Sequence, residues 1–106
     1  MDCVTVDLAL AEVANVALKR ISSGEERPGD VKIMLDDATL FINDLCETIP
    51  SGQLIPPALG LACELNISLY DALFVAAAVH HRATLFTADK ELSSAARKAC
   101  TVMLLE

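Results

Sequence analysis

The sequence predicts a mixed α/β fold, in which helices alternate with the short strands of a parallel sheet. Several segments repeat apolar residues with helical spacing, and short apolar runs rich in β-branched residues lie between them. Capping or turn residues separate these segments. Such alternation is typical of βα units, whose helices cover a parallel sheet. With 106 residues, the chain has the size of one domain, and we expect residues 1–106 to form a single domain.

The first half of the chain is predicted to contain two helices. The first begins after Asp7 as N-cap and ends at residues 22–24. It is apolar apart from Glu12 and Asn15 over most of its length, which predicts a helix buried on most sides. The second begins after Asp30, and its acids fall mostly opposite its apolar residues. We therefore expect it to be amphipathic.

The middle of the chain is predicted to hold a short strand and a third helix. The strand covers residues 47–51 and carries a proline, which suits a short strand at an edge. The helix is expected to start with Pro56 and Pro57 in its first turn, where proline is tolerated, and to end near residue 64.

The last third of the chain is predicted to contain a helix, a strand, a second helix and a second strand, in that order. Ser68 is the expected N-cap of the fourth helix, and Asp71 three residues later makes a variant of the capping box. A buried strand follows at residues 83–89. Asp89 then caps the last helix, and residues 101–105 form the closing strand.

Composition narrows the classes of function. The chain is 54% hydrophobic, yet its longest uninterrupted apolar run, residues 72–79, is far shorter than the roughly 20 residues of a membrane-spanning helix. The N-terminus lacks the features of a secretory signal. We therefore expect a cytoplasmic protein with no membrane partner. A net charge of −7 argues against an unselective nucleic-acid coat but permits an acidic metal site.

The four cysteines do not have the close spacing of zinc ligands. They are Cys3, Cys46, Cys63 and Cys100. Each has apolar neighbours in the sequence, which predicts buried thiols in a reducing compartment. A stabilising disulfide is the alternative if the source is a hyperthermophile.

Two aspartates bracket the most apolar segment of the chain. Asp71 and Asp89 both stand at predicted helix starts, where capping alone explains either of them. Asp89 also follows a predicted strand, and ligands of parallel α/β sheets gather at the carboxyl ends of the strands. Thr87, two residues earlier, is placed to hydrogen-bond a carboxylate or a phosphate. The pair is therefore either two caps or part of a cation site.

Glu12 is a third candidate ligand, from another predicted element. Its sequence neighbours are apolar, and burial of an unpaired carboxylate is costly, so we expect a partner for it. A pair with Lys19 or a network with Asn15 is the structural alternative. Acids from three elements together suit a hard cation, Mg²⁺ or Mn²⁺, which can activate water for attack on a phosphodiester.

Three segments together resemble the PIN domain family, in its VapC toxin branch. They are "DLALAEVANVALKR", "ISLYDALFVAAA" and "LFTADKEL", and the likeness extends over residues 4–105. The resemblance implies a three-layer α/β/α fold with a parallel sheet. It also implies an Mg²⁺- or Mn²⁺-dependent endoribonuclease that is paired with a small antitoxin protein.

The resemblance also assigns roles to individual residues. Glu12, Asp71 and Asp89 match the acids that bind the metal and carry catalysis in the family. Asn15 and Thr87 match residues that support the substrate or water. RNA is the implied substrate.

One feature of the family has no counterpart in this sequence. Family members begin with a central strand that carries an Asp, whereas no strand is expected before Asp7 here. Three explanations fit: a truncated gene model, a degenerate relative, or a chain completed by oligomerisation. Because unpaired strand edges invite association, we expect a homodimer or a higher oligomer. Two functions remain open: a metal-dependent endoribonuclease, or a non-catalytic binding or oligomerisation module. An unrelated helical domain, whose acids are only caps, is the third alternative.

Overall fold

A computed structural model describes residues 3–105. Within them the chain has a mixed α/β fold of five helices and four strands. In chain order these are β1 Cys3–Val6, α1 Ala9–Ser22, α2 Pro28–Leu45, β2 Cys46–Ile49, α3 Ser51–Leu65, α4 Leu69–His81, β3 Leu85–Thr87, α5 Lys90–Ala96 and β4 Val102–Leu104. They form two compact units, Met1–Thr48 and Ile49–Glu106.

The strands form two separate two-stranded sheets, β1 with β2 and β3 with β4. The predicted parallel pairing is confirmed for β3 and β4, where Leu85 lies opposite Val102. These two side chains are buried, whereas Phe86 and Met103 are 62% and 52% exposed. Because successive residues of a strand point to opposite faces, one face of this sheet packs on the core and the other is open.

In the first unit α1 packs against α2, and very few side chains are buried. Between residues 3 and 48 only Val6, Ala9 and Val31 are buried. The expectation that α1 is buried on most sides is therefore wrong, since Val16 and Leu18 are more than half exposed. The apolar sequence of α1 does not decide burial, because burial depends on how much surface the packed elements cover.

A strand precedes Asp7, contrary to expectation. Residues 4–6 are two valines and a threonine, and β-branched side chains favour the extended conformation. The strand is only four residues long, so its sequence shows little periodicity. Asp7 is also not the cap of α1, since Leu8 occupies the N-cap position.

A disulfide joins Cys3 in β1 to Cys46 in β2, across 43 residues of sequence. The Cα atoms are 4.4 Å apart, within the range of bridged cysteines. The expectation of four buried thiols is therefore wrong for this pair and also for Cys63, which is exposed. Cys100 is half-buried; burial raises the pKa of its thiol, which donates a hydrogen bond to the carbonyl of Ala96.

Two helices begin earlier than predicted. Asp30 lies in the first turn of α2 and does not cap it, because Pro28 starts the helix with its fixed φ and Arg27 is the N-cap. α3 begins at Ser51, so Pro56 and Pro57 stand inside it. Each proline removes one intrahelical hydrogen bond.

The second unit contains the main core of the described chain. α4 packs against α3 and β3, and α5 packs against β3 and β4. The core cluster consists of Leu65, Val75, Ala78, Leu85, Leu92, Ala96 and Val102. Most buried side chains of α4 are alanines, which let the neighbouring elements approach closely.

α3 and α4 are joined at Asn66, which has the left-handed conformation with φ of 55°. No single helix within residues 3–105 is long and apolar enough to cross a membrane. α3 and α4 reach that length and composition only when taken together, and the bend between them is 111°.

Candidate functional site

The start of α4 leaves the carboxylate of Asp71 without a capping role. Ser68 is the N-cap, and its Oγ accepts a hydrogen bond of 3.0 Å from the backbone N–H of Asp71. The reciprocal bond that would complete a capping box does not form among residues 3–105. Asp71 is half-buried. Ser68 therefore caps the helix, and the carboxylate of Asp71 is available to a ligand.

Thr87 and Asp89 form a local network at the end of β3. The backbone N–H of Asp89 donates a hydrogen bond of 3.1 Å to Thr87 Oγ1. Asp89 Oδ1 accepts a bond of 3.1 Å from the backbone N–H of Leu92, which confirms Asp89 as the N-cap of α5. Capping occupies one carboxylate oxygen of this exposed side chain. The other carboxylate oxygen makes no hydrogen bond or ion pair within the described range.

Asp71 and Asp89 both lie in the second unit, Asp71 in the first turn of α4 and Asp89 at the N-cap of α5. Only three residues, 82–84, connect α4 to β3, and the helix packs back against that strand. The chain turns at Arg82, which has φ of 52°. The two carboxylates thus come from different elements of the same unit.

Glu12 and Asn15 lie in the first unit, on α1, and both are exposed. Their spacing of three residues puts them on one face of the helix, as expected. The expectation that Glu12 is buried is wrong. Because its carboxylate is exposed to solvent, Glu12 needs no partner to offset a cost of burial. In the described part of the chain Glu12 forms no ion pair with Lys19.

The donor chemistry of these acids fits a hard cation. Carboxylate oxygens are the ligands that Mg²⁺ and Mn²⁺ favour, and Asp71 and Asp89 each leave at least one oxygen unused. Within residues 3–105 no group of three or more His, Cys, Asp or Glu side chains is placed to hold a metal ion. The second unit therefore offers a pair of donors, to which further ligands have to be added.

Arg97 has a structural role that the sequence did not reveal. α5 ends at Ala96, and Arg97 is its C-cap. Its guanidinium donates hydrogen bonds to Ser93 Oγ at 3.3 Å and to the carbonyl of Val102 at 3.5 Å. Ser93 is buried, so this contact pairs a buried hydroxyl and ties α5 to β4.

Comparison with known proteins agrees with the resemblance of the three sequence segments. The family model of the PIN domain matches residues 2–98. Ribonuclease VapC3 of Pyrobaculum aerophilum is 32% identical over 89 residues, which cover 84% of this chain and 67% of that protein. The family match includes Glu12, Asp71 and Asp89 and spans both units. The chain therefore belongs to the PIN domain family.

Proposed function

We propose that this PIN domain is a metal-dependent endoribonuclease of the VapC type. The observation that carries the proposal is the half-buried carboxylate of Asp71, which stays unbonded while Ser68 caps α4. An acid needed only as a cap would bond the start of its own helix. The similarity to a protein named as a ribonuclease supports the same conclusion.

In this proposal Glu12, Asp71 and Asp89 hold Mg²⁺ or Mn²⁺. The cation would activate a water molecule and offset negative charge on the phosphodiester. Thr87 steadies the backbone of Asp89, and Asn15 positions substrate or water from the same helix face as Glu12. The three-layer α/β/α fold is part of this proposal, and the family match over residues 2–98 supports it.

We further propose that another protein chain pairs with the exposed strand edges. Each two-stranded sheet consists of two edge strands, and exposed edges of this kind pair readily with added strands. A second copy and an antitoxin protein are the partners in this proposal. The open face at Phe86 and Met103 adds exposed apolar surface beside one of these edges.

The test uses a labelled single-stranded RNA and size-separated fractions of the purified chain. We expect cleavage in the presence of Mn²⁺ and its loss after treatment with EDTA, because the cation supplies the chemistry. Activity confined to fractions larger than the monomer would support completion by a second copy. Absence of cleavage from every fraction, or cleavage that resists EDTA, would contradict the proposed function.

A further inference from the structure

α5 and the turn after it carry most of the positive charge of the second unit. Residues 49–105 contain four Lys or Arg side chains and four Asp or Glu side chains. Three of those four basic side chains are Lys90, Arg97 and Lys98. Residues 1–48 instead contain ten acids and four basic side chains. The positive charge of α5 therefore attracts an anionic partner, whereas the net negative charge of the first unit repels it.

The outer face of α5 is a shallow concave surface that carries three charged side chains. It is lined by Lys90, Glu91, Ser94, Ala95 and Lys98. The opposite face of the helix packs on β3 and β4. The lining supplies two ammonium groups and one hydroxyl group as hydrogen-bond donors. It is an open surface, which suits an extended polymer better than a small enclosed ligand.

The two lysines are not used to hold the fold. Both are exposed, and neither ammonium group forms a hydrogen bond or an ion pair among residues 3–105. The neighbouring Arg97 differs, because its guanidinium bonds Ser93 and Val102. Lys90 and Lys98 are thus available to an anion without loss of any contact in the unit.

This surface begins next to the candidate site at Asp89. Lys90 directly follows Asp89, and α5 extends from there for seven residues. At a rise of 1.5 Å per residue the helix is roughly 10 Å long, and Lys98, two residues past its end at Ala96, lies farther than that from the site. Glu91 repels phosphate between them, which favours contacts at the two lysines.

We infer that the outer face of α5 binds the phosphate backbone of the single-stranded RNA next to the site at Asp89. Lys90 contacts a phosphate at the site, and Lys98 contacts one farther along the strand. These contacts position the RNA without reading its sequence. The inference rests on the proposed function, since it assigns a substrate-binding surface to that site.

The experiment measures binding of a fluorescent single-stranded RNA, by anisotropy, at several salt concentrations. All variants carry Asp89→Asn, so that cleavage does not remove the probe. Each phosphate contact on a single strand contributes about 0.7 to the slope of log affinity against log salt. We expect Lys90→Gln with Lys98→Gln to reduce the slope by about 1.4 and to weaken binding at low salt. The control is Lys19→Gln with Lys32→Gln, which removes the same charge from the first unit.

The outcomes separate this inference from the proposed function. Any of three results would overturn the inference: the Lys90 and Lys98 substitutions leave the salt slope unchanged, both double variants reduce the slope equally, or the chain binds no RNA. If the slope falls only in the α5 pair while the parent chain never cleaves RNA, the binding surface stands and the nuclease proposal fails. If the parent cleaves RNA and the slope is unchanged, the nuclease stands and the surface fails.

Discussion

Asp89→Asn is expected to abolish RNA cleavage without weakening the fold. Asparagine retains a side-chain oxygen, so it can still accept the hydrogen bond from Leu92 that caps α5. It loses the negative charge that a cation requires. Since loss of even an outer partner of a metal ligand costs about 10–100-fold, we expect the rate to fall by at least about 100-fold. The measurement is the rate of RNA cleavage with Mn²⁺, alongside a thermal unfolding curve.

Glu64→Gln is the matched control for that change. Glu64 is an exposed acid on α3, and the substitution removes the same charge from the second unit. We expect cleavage to continue at the parent rate. If Asp89→Asn cleaves RNA as fast as the parent chain, Asp89 is only a cap and the site assignment fails.

Reduction of the disulfide between Cys3 and Cys46 is expected to destabilise the first unit. The bond closes a loop of 43 residues that contains α1 and α2. By the loop-closure relation, such a constraint stabilises the fold by about 4 kcal/mol. The unit has few buried side chains with which to offset the loss, since Val6, Ala9 and Val31 are its buried residues within 3–48. Hydrogen exchange with and without a reductant measures the effect helix by helix.

The exchange experiment also has an internal comparison. Backbone amides of α1 and α2 should lose protection on reduction or in Cys46→Ala, whereas those of α4 and α5 should change little. Cys63→Ala removes an exposed, unpaired thiol and is expected to leave protection unchanged throughout. Equal protection of α1 and α2 before and after reduction would show that the disulfide does not support them.

Features fixed by neighbouring residues were predicted well from the sequence. The caps at Ser68 and Asp89 depend on side chains three residues from their partners, and both form. The parallel pairing of β3 with β4 follows from the helix between them. A short apolar run followed by a capping residue therefore carried enough information for this part of the fold.

Features that depend on distant parts of the chain were not predictable in this way. The disulfide joins residues 43 positions apart, and neither cysteine lies in a recognisable spacing. The exposure of Glu12 depends on what packs against α1, which its apolar neighbours in sequence do not determine. The role of Asp71 was open for a different reason: its position suits a cap, and only the geometry shows that Ser68 alone does the capping.

The most direct test of the central claim is Mn²⁺ binding by the parent chain and by Asp71→Asn. Because the carboxylate of Asp71 makes no bond within residues 3–105, the substitution should cost only its interaction with the helix dipole, about 0.3–1 kcal/mol of stability. Because the substitution removes a proposed metal ligand, we expect Mn²⁺ affinity, measured by titration calorimetry, to fall by at least about 10-fold. An unchanged affinity for Mn²⁺, with the fold intact, would contradict the assignment of Asp71 to a metal site.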